Sequence, residues 1–174
     1  LALLRGLASL TLPKLRAPEG KAITKGAAKL LHVMKPWFLL PLFGWSMVFA
    51  THLILNGFQS LLWSKQGIST SMIGILIALG ALSEAAMFFA FKRFSGRYTA
   101  RKLILLSSVV TVARWIAMSY SPSVPVLFAL QLLHSVTFAL GFLGCMNFIA
   151  NWTSEDIAAE AQGFFTMLQQ GTAV

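Results

Sequence analysis

Three ionisable side chains stand inside hydrophobic sequence: Glu84 in GALSEAAMFF, Arg114 in VARWIA and His134 in QLLHSVTF. Glu84 and His134 can gain and lose a proton, whereas Arg114 in practice cannot. A guanidinium also presents forked donors that grip a carboxylate through two parallel hydrogen bonds. Ionisable groups are costly at mid-membrane depth, so the first reading of such a trio is functional. Uncharged polar residues accompany Arg114 and His134 at helical spacing. Ser107, Thr111 and Arg114 fall at i, i+4 and i+7, and Gln131, His134 and Thr137 step by three. His52, Asn56 and Gln59 share a face on a 3.6-residue period, and Gln162, Thr166 and Gln169 form a further stripe. Several polar-striped helices around one axis describe a solute pathway better than a lipid-facing anchor. The candidate pathway residues are His52, Asn56, Glu84, Arg114, Gln131, His134 and Gln162. The alternative is interhelical hydrogen-bond glue, and for His52 both readings stay open.

The elements that must position these groups are apolar runs. Of 174 residues, 57% are hydrophobic and 11% charged. A soluble domain would carry about a quarter charged residues. The deficit comes from uncharged runs of membrane-spanning length. Spans are expected over about residues 37–63, 72–91, 103–120 and 124–150, with a truncated one from about 157. Trp37 and Trp63 bracket the first as interface anchors. Pro36 suits its start, and Pro41 is placed to kink its entry. Ser69 or Thr70 suits the N-cap of the second, where Gly74 and Ala78 would let a neighbouring helix approach. The fold class is therefore an all-α membrane protein, a polytopic helix bundle. At 1.5 Å per residue, Glu84 lies about 12 Å from Lys92, Arg114 about 18 Å from Lys102 and His134 about 15 Å from the Ser121-Pro122-Ser123 turn. All three are thus deep in the hydrocarbon. Antiparallel neighbours with a short connection pack side by side, so a Glu84–Arg114 ion pair is open, either as a working pair or as a lock between two helices.

The net charge of +9 would ordinarily suggest nucleic acid. Here the basic residues flank the apolar runs. Seven precede Trp37, and five of the eleven residues in KRFSGRYTARK, 92–102, are Lys or Arg. The positive-inside rule explains this distribution without a nucleic-acid partner and places that loop and the N-terminal end in the cytoplasm. Residues 1–35 read as a cytoplasmic linker carrying the tail of a preceding helix or an interfacial segment, and 36–174 as the membrane bundle. The chain opens without Met and stops within an apolar run, so a longer protein is expected. Cys145 stands alone, and no glycine-rich phosphate loop, paired Cys/His spacing or GxSxG motif occurs. Neither a cofactor nor a metal is expected.

The runs HLILNGFQSLLWSKQGIS, IGILIALGALSEAAMFF, TARKLIL, VARW and QLLHSVTF resemble the major facilitator superfamily. More narrowly they are similar to its phenylpropionate-permease group, proton-linked relatives of lactose permease. The resemblance covers about residues 32–174. It implies half of a major-facilitator fold, helices seven to ten and the start of eleven of a twelve-helix transporter. The missing N-terminal half would complete the central cavity, and the two halves would rock around it by alternating access. In lactose permease a Glu on the eighth helix, an Arg on the ninth and a His on the tenth are matched here by Glu84, Arg114 and His134. That permease carries a second acid three residues after the His, where this chain has Thr137. The loop SGRYTARK keeps the Gly and basic residues of the superfamily's loop motif and lacks its Asp.

The expected function is secondary active transport, proton-coupled symport of a small organic solute such as an aromatic carboxylate, a sugar or a nucleoside-like molecule. The expected partners are the lipid bilayer, that solute, protons and the other half of the protein. The expected setting is multi-pass in a plasma (bacterial inner) membrane, with this chain's N-terminal end cytoplasmic. The alternatives are a membrane-embedded enzyme using Glu84 and His134 as acid and base, and a non-transporting receptor or scaffold on the same fold.

Overall fold

A computed structural model describes residues 31–155 and 157–173. The basic segment before residue 31, and the reading of it as a linker, lie outside the described residues. Five helices follow: α1 (Pro36–Lys65), α2 (Thr70–Ser95), α3 (Ala100–Ser119), α4 (Val124–Trp152) and α5 (Ala158–Ala173). The first four are long and apolar enough to cross a bilayer. The protein is an all-α, multi-pass integral membrane bundle.

Local chemistry sets the helix ends. Pro36 opens α1 at a position where its missing N–H is no loss. Ser69 caps α2, its hydroxyl accepting from the Met72 amide at 3.4 Å. Lys65 at the end of α1, and Lys92 and Arg93 at the end of α2, sit against the negative poles of their helices. Gly67, at φ 79°, closes the α1–α2 turn in a conformation that glycine adopts without strain. Between α4 and α5 the Ile157 amide donates to the Ser154 carbonyl at 3.0 Å. Helix α5 begins three residues beyond Glu155, with Glu160 in its first turn.

Helix α4 is not uniform. Residues Val124–Leu132 and Gly141–Trp152 are α-helical, and Ser135–Leu140 between them is a π segment. A π turn adds a residue to the coil and rotates the side chains beyond it, an irregularity common at functional positions. Here it begins immediately after His134.

Two apolar clusters cap the bundle, and the polar residues lie between them. At the end of the bundle that includes the start of α1, Phe38, Leu42, Trp45, Ile104, Phe148 and Phe165 pack from four helices. At the other, Trp63, Ile73, Leu76, Met118, Leu127 and Leu130 do the same. Helix α5 lies along α1, with the Thr172 hydroxyl on the Ser46 carbonyl at 3.2 Å.

The close approaches are made at Gly80, Gly141 and Gly144. The expected small-residue contact at Gly74 is not used: a Cβ there would meet nothing within 4 Å among the described residues. Gly74 and Ala78 lie on the exposed face of α2, turned away from the side on which Ile73 and Leu76 pack. Gly141 is the tightest position. A Cβ on it would overlap the Trp45 indole nitrogen and the Ser107 hydroxyl, which hydrogen bond to each other at 3.1 Å. Gly141→Ala is expected to push α1 and α3 off α4 and to destabilise the protein by about 1–3 kcal/mol, as overpacking does. Thermal unfolding of the purified variant, read against Gly163→Ala at an open position, measures the effect.

Candidate functional site

Arg114 is the centre of the polar layer, and it is 1% exposed. Its Nε donates to the Leu130 carbonyl at 2.9 Å, and its Nη2 to Gln131 Oε1 at 2.8 Å. Its Nη1 faces His134 Nδ1 at 3.3 Å and Thr137 Oγ1 at 3.4 Å. The guanidinium also lies 5.3 Å from the centre of the Trp115 ring. Every nitrogen of the cation thus has a protein acceptor, as a buried charge requires. Gln131 is held in turn by α2, its Nε2 donating to the Leu76 carbonyl at 2.9 Å.

A direct Glu84–Arg114 ion pair, open from the sequence, does not form. Glu84 Oε2 lies 3.6 Å from His134 Nε2, so the imidazole stands between carboxylate and guanidinium. The helix geometry explains this. Gly80, one turn before Glu84, allows α2 to lie against Gln131 and the His134 ring, which places the carboxylate on the far edge of that ring.

The donors and acceptors along this layer run in consistent directions. Arg114 offers only donors, so a neutral His134 meets it with the Nδ1 lone pair and carries its proton on Nε2, toward Glu84. On the other side Thr137 Oγ1 lies 3.0 Å from His52 Nε2. His52 Nδ1 lies 2.9 Å from the Val48 carbonyl, which can only accept. The neutral His52 proton is therefore on Nδ1, and Nε2 accepts from the Thr137 hydroxyl. The result is one chain, Glu84–His134–Arg114–Thr137–His52, drawn from α2, α4, α3, α4 and α1, with Arg114 donating in both directions. Phe138 stacks on His134 at 5.3 Å and shields its ring.

Part of this chain opens on a cavity of about 320 Å³ lined by Asn56, Gln59, Glu84, Arg114, Gln131 and His134. Six of the seven candidate residues thus sit on the chain or the cavity. His52 is fully buried behind it and reaches the cluster through Thr137. Gln162 is not brought in: it is exposed on α5, and of its stripe only Gln169 is buried. Helix α5 turns its Ala161 and Phe165 side inward instead, in line with the buried Ile157 just before it.

Sequence reasoning put Thr137 on the stripe of Gln131 and His134 and marked it as the place where a second acid is lacking, but left it out of the candidate pathway residues. It also missed Trp115, whose Nε1 donates to Thr51 at 3.0 Å and whose ring lies 5.1 Å from His52. A signal for Thr137 was present in its spacing of three from His134. The backbone carbonyls of Leu76 and Leu130 carry no signal in side-chain pattern at all.

The model of a family described as the MFS_1 like family matches residues 12–174. The chain is 33% identical over 99 residues to the probable 3-phenylpropionic acid transporter of Escherichia coli (strain K12), a match covering 57% of this chain and 26% of that protein. It is 28% identical over 123 residues to the uncharacterized transporter YwbF of Bacillus subtilis (strain 168), covering 71% and 31% respectively. It is 25% identical over 172 residues to the maltose permease of Geobacillus stearothermophilus, covering 98% and 43%. The chain thus spans less than half the length of these relatives. No solved structure matches it significantly.

Proposed function

The chain belongs to the MFS_1 like family, and from that premise we propose that it forms one half of a transporter coupling a small organic anion to a proton. The chain Glu84–His134–Arg114–Thr137–His52 beside a cavity, hydrogen-bonded from His134 to His52 and closed by Glu84 at ion-pair distance from the His134 ring, is the observation that carries this reading.

The coupling follows from what Arg114 can donate to. Nη1 and Nη2 are held by His134 and Gln131, both of which line the cavity, while Nε is anchored on the Leu130 carbonyl. An arriving carboxylate takes the two cavity-side donors as a forked pair and leaves the Nε anchor in place. His134 then loses the donor that faced its Nδ1. A second ring proton, which would have pointed an N–H at the guanidinium, now fits, and the imidazolium faces Glu84. Anion binding and proton binding therefore favour each other, and that coupling is reciprocal by linkage. Carboxylate and proton cross as a neutral pair, and neither is favoured alone. A carboxylate with an apolar body is the substrate class that suits the forked guanidinium and the Ile77, Gly80 and Ala81 part of the cavity wall, and an aromatic acid is one such molecule. The relative named for 3-phenylpropionic acid supplies the first compound to try. The remaining wall of the cavity would come from the other half of the full-length protein.

The test is uptake of labelled 3-phenylpropionate and of maltose by the full-length protein in proteoliposomes, with and without an inward proton gradient. Gradient-driven accumulation of the aromatic acid, collapsing with a protonophore, is the expected result. Uptake of neither, or accumulation indifferent to the gradient, overturns the reading.

A further inference from the structure

The basic loop between α2 and α3 takes no part in the site above, yet it borders a sizeable cavity of its own. That cavity, of about 710 Å³, is lined by Arg97, Tyr98, Thr99 and Arg101 from the loop and the start of α3, and by Asn147 and Asn151 of α4. No carboxylate lines it among the described residues, and Glu155, exposed beyond Trp152, stays outside. The Arg101 guanidinium is caged by three rings, 5.8 Å from the centre of Trp37, 5.5 Å from Phe148 and 5.8 Å from Trp152. Ring contact fixes the guanidinium through its face and leaves its N–H edge open. No carboxylate lies within ion-pair distance of Arg101 among the described residues. Asn151 donates to Asn147 Oδ1 at 3.3 Å, which leaves the Asn147 amide group available as a donor. A fixed guanidinium edge, a second guanidinium, a phenol and amide donors around one concavity form a receptor for an anion with several acceptor oxygens.

We propose that this cavity binds a phosphate group. Two sources share that chemistry, the phosphodiester of an anionic lipid headgroup and a soluble phosphate. Tryptophans at a helix end and a basic loop are the usual features of the membrane–water interface, where either is within reach.

The purified full-length protein tests this apart from any transport. Native mass spectrometry counts adducts of phosphatidylglycerol and of diacylglycerol with the same acyl chains. Thermal unfolding is followed in parallel across a titration of inorganic phosphate. Selective retention of phosphatidylglycerol without a response to phosphate assigns the headgroup. A thermal shift with phosphate alone assigns the soluble anion, and responses to both support the shared site. In each case Arg97→Gln is expected to weaken the response about tenfold, and Arg101→Gln by at least as much, the loss of one charge-assisted pair. Equal binding of the two lipids with no phosphate response, or binding unchanged in Arg97→Gln, overturns the proposal. Arg97 is exposed on the loop, so that variant decides the matter even if emptying the aromatic cage at Arg101 prevents folding.

Discussion

Arg114→Gln is expected to reduce uptake of an anionic substrate by the full-length protein at least about a hundredfold. Each charge-assisted hydrogen bond contributes about 1.5–3 kcal/mol, and two of them hold the substrate in the proposed geometry. Losing about 3 kcal/mol corresponds to two decades of affinity. The variant also strands acceptors that Arg114 now satisfies: the Leu130 carbonyl, Gln131 Oε1, His134 Nδ1 and Thr137 Oγ1. Some loss of stability is therefore expected, and uptake has to be expressed per folded molecule, from size-exclusion and thermal-unfolding data. Arg114→Lys separates charge from shape. It keeps a cation but loses the planar fork, so it is expected to recover stability more than uptake. Normal uptake per folded molecule in Arg114→Gln would leave Arg114 as a lock between helices, with no place in the transport step.

Glu84→Gln is expected to give the opposite pattern, transport without coupling. Gln keeps the size of Glu and an oxygen that can face His134 Nε2, so the ring and Arg114 are expected to keep their positions. What disappears is the counter-charge for a protonated His134. Downhill exchange of substrate should persist, while accumulation against a concentration gradient fails. For one proton per carboxylate, a gradient of one pH unit, about 1.4 kcal/mol, supports about tenfold accumulation in the wild type. The ratio in Glu84→Gln should fall toward unity and lose its dependence on external pH. Accumulation equal to wild type would remove Glu84 from the proton path.

The trio of Glu84, Arg114 and His134 is legible in the sequence because charged residues inside apolar runs have no ordinary reason to be there. The helices are legible for the same reason. Runs of membrane length, a basic loop and interface tryptophans are composition effects, and composition needs no partner to act. Gln162 shows where periodicity stops being informative. Its stripe is real, but α5 buries Ala161 and Phe165 in the apolar cluster it shares with α1, and that burial decided the rotation. Gly74 fails similarly: a small residue permits a close contact, and only a crossing helix makes one.

By itself, then, the amino-acid order determined a bundle of membrane-length helices and the place of each ionisable group along its helix. Only the packed structure decided who touches whom. It interposed His134 between Glu84 and Arg114, gave Thr137 two partners on different helices, and set the π segment that phases the second half of α4. The reason is one of range. Hydropathy and helical period act along a single segment, whereas hydrogen-bond partners depend on the separation and rotation of different helices. Those are fixed jointly by contacts such as Gly141 under Trp45 and Gly80 against Gln131, which no single helix encodes.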